Sequence, residues 1–458
     1  MIKKTIGISF LLSGLVFAKE ITLQEAINTA LQNGFGIKSK QKLIKAKEFE
    51  LNATKGFRYP KLTLFANFLR TDNPGYAMMN TLNQKRLDIN QSSEYVDMTS
   101  FNSIFGNFGI NFNTPTYPEV NNWQTKLQLE VPIFTGFKIS TAIRMKTKDL
   151  QSSKKELESE KQKTILNVIK AYKGALLAKE GMNVAQEAYN TAKKHYEVAK
   201  KMYDTGLVVY ADVLRAKVYM LDMQNKITEA KSKYLTAKKA LLLAMGKTDV
   251  SPEDIDVVGK LSCNAPQKEV SYYQKLALKL RPDLQAVRTK VLIAKDMIKM
   301  AKSDYYPKIG AFAFVENNSK DFLFSDNANW WGIGVGLTWN VFNGFVRENK
   351  YKSAKEIYSS YSQKLKGFEE YIKFKVYDSY YKWIDAYEKY KTKKEALNMA
   401  EEVLSITEKS YNNQMASMLD LIDTQTLRDK TKFDLSQAKY QCEVSHAELL
   451  YNIGNLNK

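Results

Sequence analysis

Two cysteines and two histidines are all that this 458-residue chain has of the side chains most often used for metal binding, thiol chemistry and proton transfer near neutral pH. Cys263 and Cys442 make no disulfide framework and no metal site, although a single bond between them in an oxidising compartment stays open. His195 and His446 stand alone on Lys- and Glu-rich helical stretches, where surface positions are expected. No nucleophile, phosphate loop or ligand-spaced cluster stands out. Long apolar runs are scarce too: beyond residue 18 none approaches the roughly 20 residues that a membrane helix needs. A chain of this kind enters a membrane only as strands. Acidic residues fall short of basic ones, 49 against 69, for a formal charge of +20. That excess invites a nucleic-acid reading, but the Lys residues are scattered among Glu and Asp on helix faces, as on a solvated helical surface.

What the chain does have begins at its first residues. Lys3 and Lys4 precede an apolar run from Ile6 to Phe17, and Val16-Phe17-Ala18 before Lys19 has the form of a cleavage site. Residues 1–18 are therefore expected to be a secretory signal peptide. With no Cys after the apolar run, no lipid anchor is indicated, and export argues further against nucleic acid as a partner.

The remainder contains its own copy. VPIFTGF at Val131–Phe137 returns as NVFNGF at Asn340–Phe345, so that Gly136 answers to Gly344 (344 − 136 = 208). YDTGLVVYADVLRA at Tyr203–Ala216 returns at the same shift as YNNQMASMLDLIDT at Tyr411–Thr424, and Gly246 returns as Gly454. Upstream, Pro60 answers to Pro307 (307 − 60 = 247), so the first repeat holds 39 extra residues (247 − 208 = 39). These fall in an Asn-rich, aromatic stretch expected to be a surface loop, about 71–121. The expected organisation is a first repeat over 19–246, a linker over 247–270 that holds Pro252 and Pro266, and a second repeat over 271–458.

Within each repeat the period switches. Thr22 with Glu25 forms a capping box ahead of Leu23, Ala26, Ile27, Ala30 and Leu31 at helical spacing. After Pro60, Leu62, Leu64, Ala66 and Phe68 alternate with Lys61, Thr63, Phe65 and Asn67. Beyond the loop, Trp123, Leu127, Leu129 and Val131 alternate with Gln124, Lys126, Gln128 and Glu130. Strands are expected at about 60–70, 122–132, 307–316 and 330–342, apolar on one face and polar on the other, as between lipid and a wet lumen. Four strands close no membrane barrel, since the smallest have about 8, so the strands must be pooled between subunits. Gly136–Gly206 and Gly344–Gln414 read as helices of about 70 residues, each on the order of 100 Å long. Tyr351, Ala354, Tyr358, Tyr361, Leu365, Phe368 and Ile372 mark a coiled-coil seam on the second. Helical hairpin turns are expected at about 204–211 and 412–419.

These residues resemble the TolC-like outer-membrane factors of multidrug efflux and type I secretion. The likeness rests on TLQEAINTAL at Thr22, PIFTGF and NVFNGF, LRPDLQAV at Leu280, SDYYPKIG at Ser303, TGLVVYADVLRA at Thr205 and ASMLDLIDTQ at Ala416, in their order and duplication. It implies a mixed α and β membrane protein: a homotrimer with a twelve-stranded barrel in outer-membrane lipid and a periplasmic tunnel of antiparallel coiled helices. It further implies a passive exit duct, not an enzyme and with no cofactor, served by a periplasmic adaptor and an inner-membrane efflux pump or ABC exporter. Carried over position by position, Asp420 and Asp423 would ring the periplasmic constriction, and Tyr411 would join the gate's polar network. Thr205, Gly206 and Leu207, with Asn413, Gln414 and Met415, would meet the adaptor. The chain departs from the family at Gln414, where Gly is usual, and at Ala416, where a basic residue can bridge helices. A soluble periplasmic coiled-coil scaffold is the competing class, and it leaves the strand alternation unexplained.

Overall fold

Stretches of period two and of period 3.6 separate along the chain much as their patterning dictates. The computed structural model describes residues 19–86, 119–325 and 328–456. The expected signal peptide, and most of the expected loop at 71–121, lie outside the described residues. In order come β1 (Lys19–Ile21), α1 (Leu23–Asn33), α2 (Phe35–Gly56), β2 (Lys61–Thr71), α3 (Pro74–Asn83), β3 (Val120–Phe134), α4 (Lys138–Asp204) and α5 (Tyr210–Ala244). There follow β4 (Ile255–Val257), α6 (Val270–Leu280), α7 (Pro282–Lys302), β5 (Lys308–Ser319), β6 (Asn329–Thr338), α8 (Val346–Asn412) and α9 (Met418–Ile453). Thr22 and Glu25 form the capping box of α1, side chain to backbone in both directions. α4 and α8 each run 67 residues unbroken. Two compact units result.

The unit of residues Lys47–Asp149 and Val291–Tyr361 is built on an antiparallel sheet of order β2-β3-β5-β6. Register puts Leu64 opposite Leu127, Leu127 opposite Val315, and Val315 opposite Trp331, so the apolar residues of all four strands share one face. Lys61, Glu130 and Phe312 share the other. β6 stops at Thr338, short of the alternation that continues to Val341 in the sequence. Its partner β5 begins only at Lys308, after Pro307, which has no N–H to give a ladder. Residues 74–83, within the stretch expected as loop, form α3: Asn73 caps it by accepting from the Tyr76 N–H, and Pro74 takes the first turn, where its missing donor costs nothing.

Where strand gives way to long helix, Gly136 and Phe137 have φ of 63° and 66°, and Gly344 and Phe345 have 64° and 63°. This left-handed pair redirects the chain. At Gly136 no side chain fits, because a Cβ would lie 2.4 Å from the Ser303 carbonyl oxygen. Buried Asp296 of α7 then clamps α4 through Arg144 at 3.0 Å and Lys148 at 2.6 Å.

The other unit is helical, with β1 and β4 paired in parallel against it. Ile21, Ala26, Ala30, Tyr172, Leu241, Leu242 and Val257 share its largest apolar cluster. The Tyr172 hydroxyl lies 2.8 Å from the Ile21 carbonyl and 2.6 Å from that of Val258, which fixes the strand pair to α4. Cys263 and Cys442 are joined in a disulfide, their Cα atoms 5.6 Å apart, which ties the linker after α5 to α9. The histidines depart from the surface positions expected of them. His446 is half-buried with its ring stacked on Trp383 at 4.3 Å. His195 is half-buried, its Nε2 has no partner among the described residues, and burial lowers its pKa. A helix with neighbours on several sides has few truly exposed positions, and an imidazole fits the seams.

Candidate functional site

Both helical turns end their first helix on a left-handed residue. Between α4 and α5 it is Gly206, φ 77°, with its N–H donating to the Tyr203 carbonyl (2.9 Å) and the Leu207 N–H to that of Met202 (2.8 Å). Between α8 and α9 it is Gln414, φ 62°, with its N–H donating to Tyr411 (3.0 Å) and the Met415 N–H to Ser410 (2.8 Å). This pair of bonds satisfies carbonyls that a helix end leaves bare. Thr205, Gly206, Leu207, Asn413, Gln414 and Met415 are all exposed at these turns.

Directly behind them, one apolar cluster joins the two hairpins: Ala199, Val213 and Ala216 from the first, Leu404, Tyr411, Met418 and Leu421 from the second. Tyr411 is therefore a buried packing residue. Its hydroxyl has no partner among the described residues, and burial, then the Asp212 charge, push its pKa up.

Asp420 and Asp423 are both exposed on the opening turns of α9. Asp420 is also the end of a capping box: its Oδ2 accepts from the Ser417 N–H (2.9 Å) and Oγ (2.7 Å), while its own N–H donates back to that Oγ. These two bonds hold its carboxyl below the usual range, so it stays charged. No cation pairs with either carboxylate among the described residues. Asp212, the counterpart of Asp420, faces Arg215 at 3.4 Å instead.

Sequence reasoning missed the ion pairs that brace the hairpins farther in. Lys432 of α9 reaches Glu187 of α4 at 2.5 Å, and Arg428 lies 3.9 Å from the same carboxylate. Their charges are spaced as on any surface helix, and only the tertiary pairing singles them out.

In the other unit the feature that stands out is the bare apolar sheet face. Trp331 is 78% exposed and Ile333 77%, with Leu62, Leu64, Val315, Val335 and Leu337 also exposed. An apolar face left uncovered by its own chain marks a membrane or protein interaction surface. The opposite face is knitted by polar side chains: Asn67 donates to Gln124 (3.1 Å), and Gln124 to Glu316 (2.8 Å). β2 and β6 are its open edges. Among the described residues no helix is long and apolar enough to cross a membrane, and no group of three or more His, Cys, Asp or Glu is placed to hold a metal.

No curated protein matches this sequence. Among solved structures, the chain is similar to CusC, with a TM-score of 0.73 at 15% identity over 94% of this chain and 92% of that one. It is similar to the outer membrane protein VceC of Vibrio cholerae (TM-score 0.71, 16% identity, 94% and 96% covered). The CmeC outer membrane channel of Campylobacter jejuni also shares the fold (0.74, 16%, 94% and 85%). The sequence pattern of the outer membrane efflux proteins matches residues 26–247 and 274–455. The chain belongs to the outer membrane efflux protein family, and serves as an outer-membrane exit duct of efflux systems.

Proposed function

We propose that three copies of this chain, each an internal duplication, pool their sheets into a twelve-stranded barrel continued by a periplasmic helical tunnel. Substrate would be handed to it by a periplasmic adaptor and an inner-membrane transporter, of either the efflux or the type I secretion kind. The observation that carries this reading is the four-stranded sheet with one bare apolar face and two unpaired edges. Unpaired edges inside a bilayer leave backbone groups without partners, and closure by pooled strands removes the edges. On α5, Tyr210, Leu214, Val218 and Leu221 form an exposed apolar stripe at helical spacing, the kind of surface that a neighbouring subunit covers. Detergent should be required to release the protein from membranes, and release by a salt wash would sink the duct.

In this reading the exposed turns at Thr205, Gly206, Leu207, Asn413, Gln414 and Met415 meet the adaptor. Asp420 and Asp423 give six carboxylates around the trimer's inner mouth, which collect cations and repel anions. Ala416 supplies no bridging cation, and Lys432 and Arg428, both on Glu187 of α4, take over as the lock, with Tyr411 packed between them and the turn. Asp420→Ala with Asp423→Ala is expected to raise single-channel conductance in planar bilayers and weaken block by multivalent cations. Unchanged recordings would count against the ring.

A further inference from the structure

Helix α3 lies on the polar face of the sheet. Gln84, which follows it, donates from Nε2 to the Asn121 carbonyl (2.7 Å) and to Asn122 Oδ1 (2.9 Å). Asn122 in turn donates to Asn318 (3.0 Å), and Asn318 to Glu316 (2.9 Å), the carboxylate that also accepts from Gln124. Trp330, opposite Glu316 in the register, donates its indole N–H to the Asn83 carbonyl (2.7 Å), and Lys85 sits 4.8 Å from the centre of its ring. Every side-chain anchor among them, Asn122, Asn318, Glu316 and Trp330, belongs to the face that carries Lys126, and none to the face that carries Trp331 and Ile333. Ala77, Asn80, Thr81 and Gln84 are buried in the contact. Tyr76, Met79 and Leu82, at steps of three on the other side of α3, are 63%, 55% and 38% exposed.

The anchors sit at the strand ends around Thr71, Val120 and Asn329, where the chain turns back on itself. The other ends lead into α2, α4, α7 and α8. We propose that α3 is an inward-facing constriction at the outer mouth of the barrel, with Tyr76, Met79 and Leu82 as its size- and polarity-selecting surface. This rests on the reading that three such sheets close a barrel with the polar face inward. Twelve strands about 4.8 Å apart and tilted by ~40° enclose a bore roughly 24 Å across. Three helices about 10–12 Å thick with their side chains fill a circle of that width. The three apolar stripes then meet near the axis, where an apolar collar hinders water and ions while yielding to amphiphilic cargo. An exit duct thereby gains a barrier against entry from outside.

The test places a thiol below the collar, Gln128→Cys on the polar face of β3, in the full-length protein in whole cells. Both native cysteines are already bonded to each other. A small membrane-impermeant maleimide added outside is expected to label the new thiol, and a bulky polyethylene-glycol maleimide is not. Tyr76→Ala with Met79→Ala, and separately Trp330→Ala, which frees the anchor without touching α3, should each abolish the exclusion of the bulky reagent. Equal labelling by both reagents with α3 intact overturns the constriction and leaves the duct standing. Failure of even the small reagent overturns the inward placement of the polar face, and the constriction with it.

Discussion

At the turn between α4 and α5 the left-handed residue is Gly206, the next helix begins after Val209 with no side-chain cap, and Asp212 is answered by Arg215. At the turn between α8 and α9 the same positions, 208 residues on, hold Gln414, Ser417, Asp420 and Asp423. The first turn has an easy backbone, a plain helix start and balanced charge. The second has a strained backbone, a reciprocal cap and two carboxylates that no cation meets among the described residues. The difference extends below the turns: Tyr203 and Tyr210 are exposed with their rings 5.3 Å apart, whereas their counterparts Tyr411 and Met418 are buried. One backbone geometry thus presents two surfaces. The second turn is anchored from beneath and carries the charge; the first leaves its aromatics free for another chain.

The largest effect is expected from erasing the charge difference. Asp423→Arg puts into the second turn the residue that the first has, and three chains would then set three guanidinium groups against three carboxylates. Block of the bilayer channel by multivalent cations should weaken by roughly tenfold or more. If the block is unchanged, the carboxylates do not line the passage. Next comes Met418→Ala, which empties a fully buried site in the shared cluster and should cost about 2–5 kcal/mol of local stability. Hydrogen exchange across the start of α9 reads it as local opening. Tyr210→Ala, at the counterpart, should leave exchange at the start of α5 nearly unchanged in a detergent-separated single chain. Equal losses at the two sites would erase the asymmetry.

Much of this arrangement is legible in the sequence because it is local. Strand alternation and helical spacing are carried by neighbouring residues, and the turns announce themselves by a broken apolar run that resumes on Asp212 or Asp420. The Ser417 cap is legible too, as a Ser with an acid three residues on. What stays hidden is decided by partners distant in the chain. That Met418 is buried while its counterpart Tyr210 is exposed depends on packing against Ala199 and Val213, far off in the chain, and the bond between Cys263 and Cys442 spans 179 residues. α3 hides differently: Asn73-Pro74-Gly75 reads as a turn, and the same residues are a helix start once Gln84 and Trp330 give the segment a sheet to lie on.

Exchanging the caps should have a smaller effect. Ser417→Ala is expected to cost about 1 kcal/mol at the start of α9, and Val209→Ser to add a similar amount at the start of α5. The pH dependence separates the two turns further. The Ser417 bonds hold the Asp420 pKa below its ordinary value of 3.8, so the stability they give is fully present above that pH. It is lost as pH falls through the depressed folded value. The protection factors at the start of α9, exchange rates divided into the intrinsic rate at each pH, should therefore fall on acidification below about pH 4, and Ser417→Ala should flatten that dependence. An acid response that survives Ser417→Ala would assign it to other carboxylates.

Gln414→Gly should have the smallest effect and the opposite sign. A residue with a Cβ pays roughly 1 kcal/mol or more for the left-handed conformation, while glycine pays for its greater freedom in the unfolded chain. The difference leaves a net gain of a few tenths to about 1 kcal/mol. The amide of Met415 reports it most directly, because its bond to the Ser410 carbonyl closes the turn and exists only while residue 414 is left-handed. Its exchange should slow toward that of the Leu207 amide, which makes the same bond behind Gly206. If Gln414→Gly leaves that amide no slower, the strain is already offset by contacts of the Gln414 side chain, and the two turns differ in cap and charge rather than in backbone.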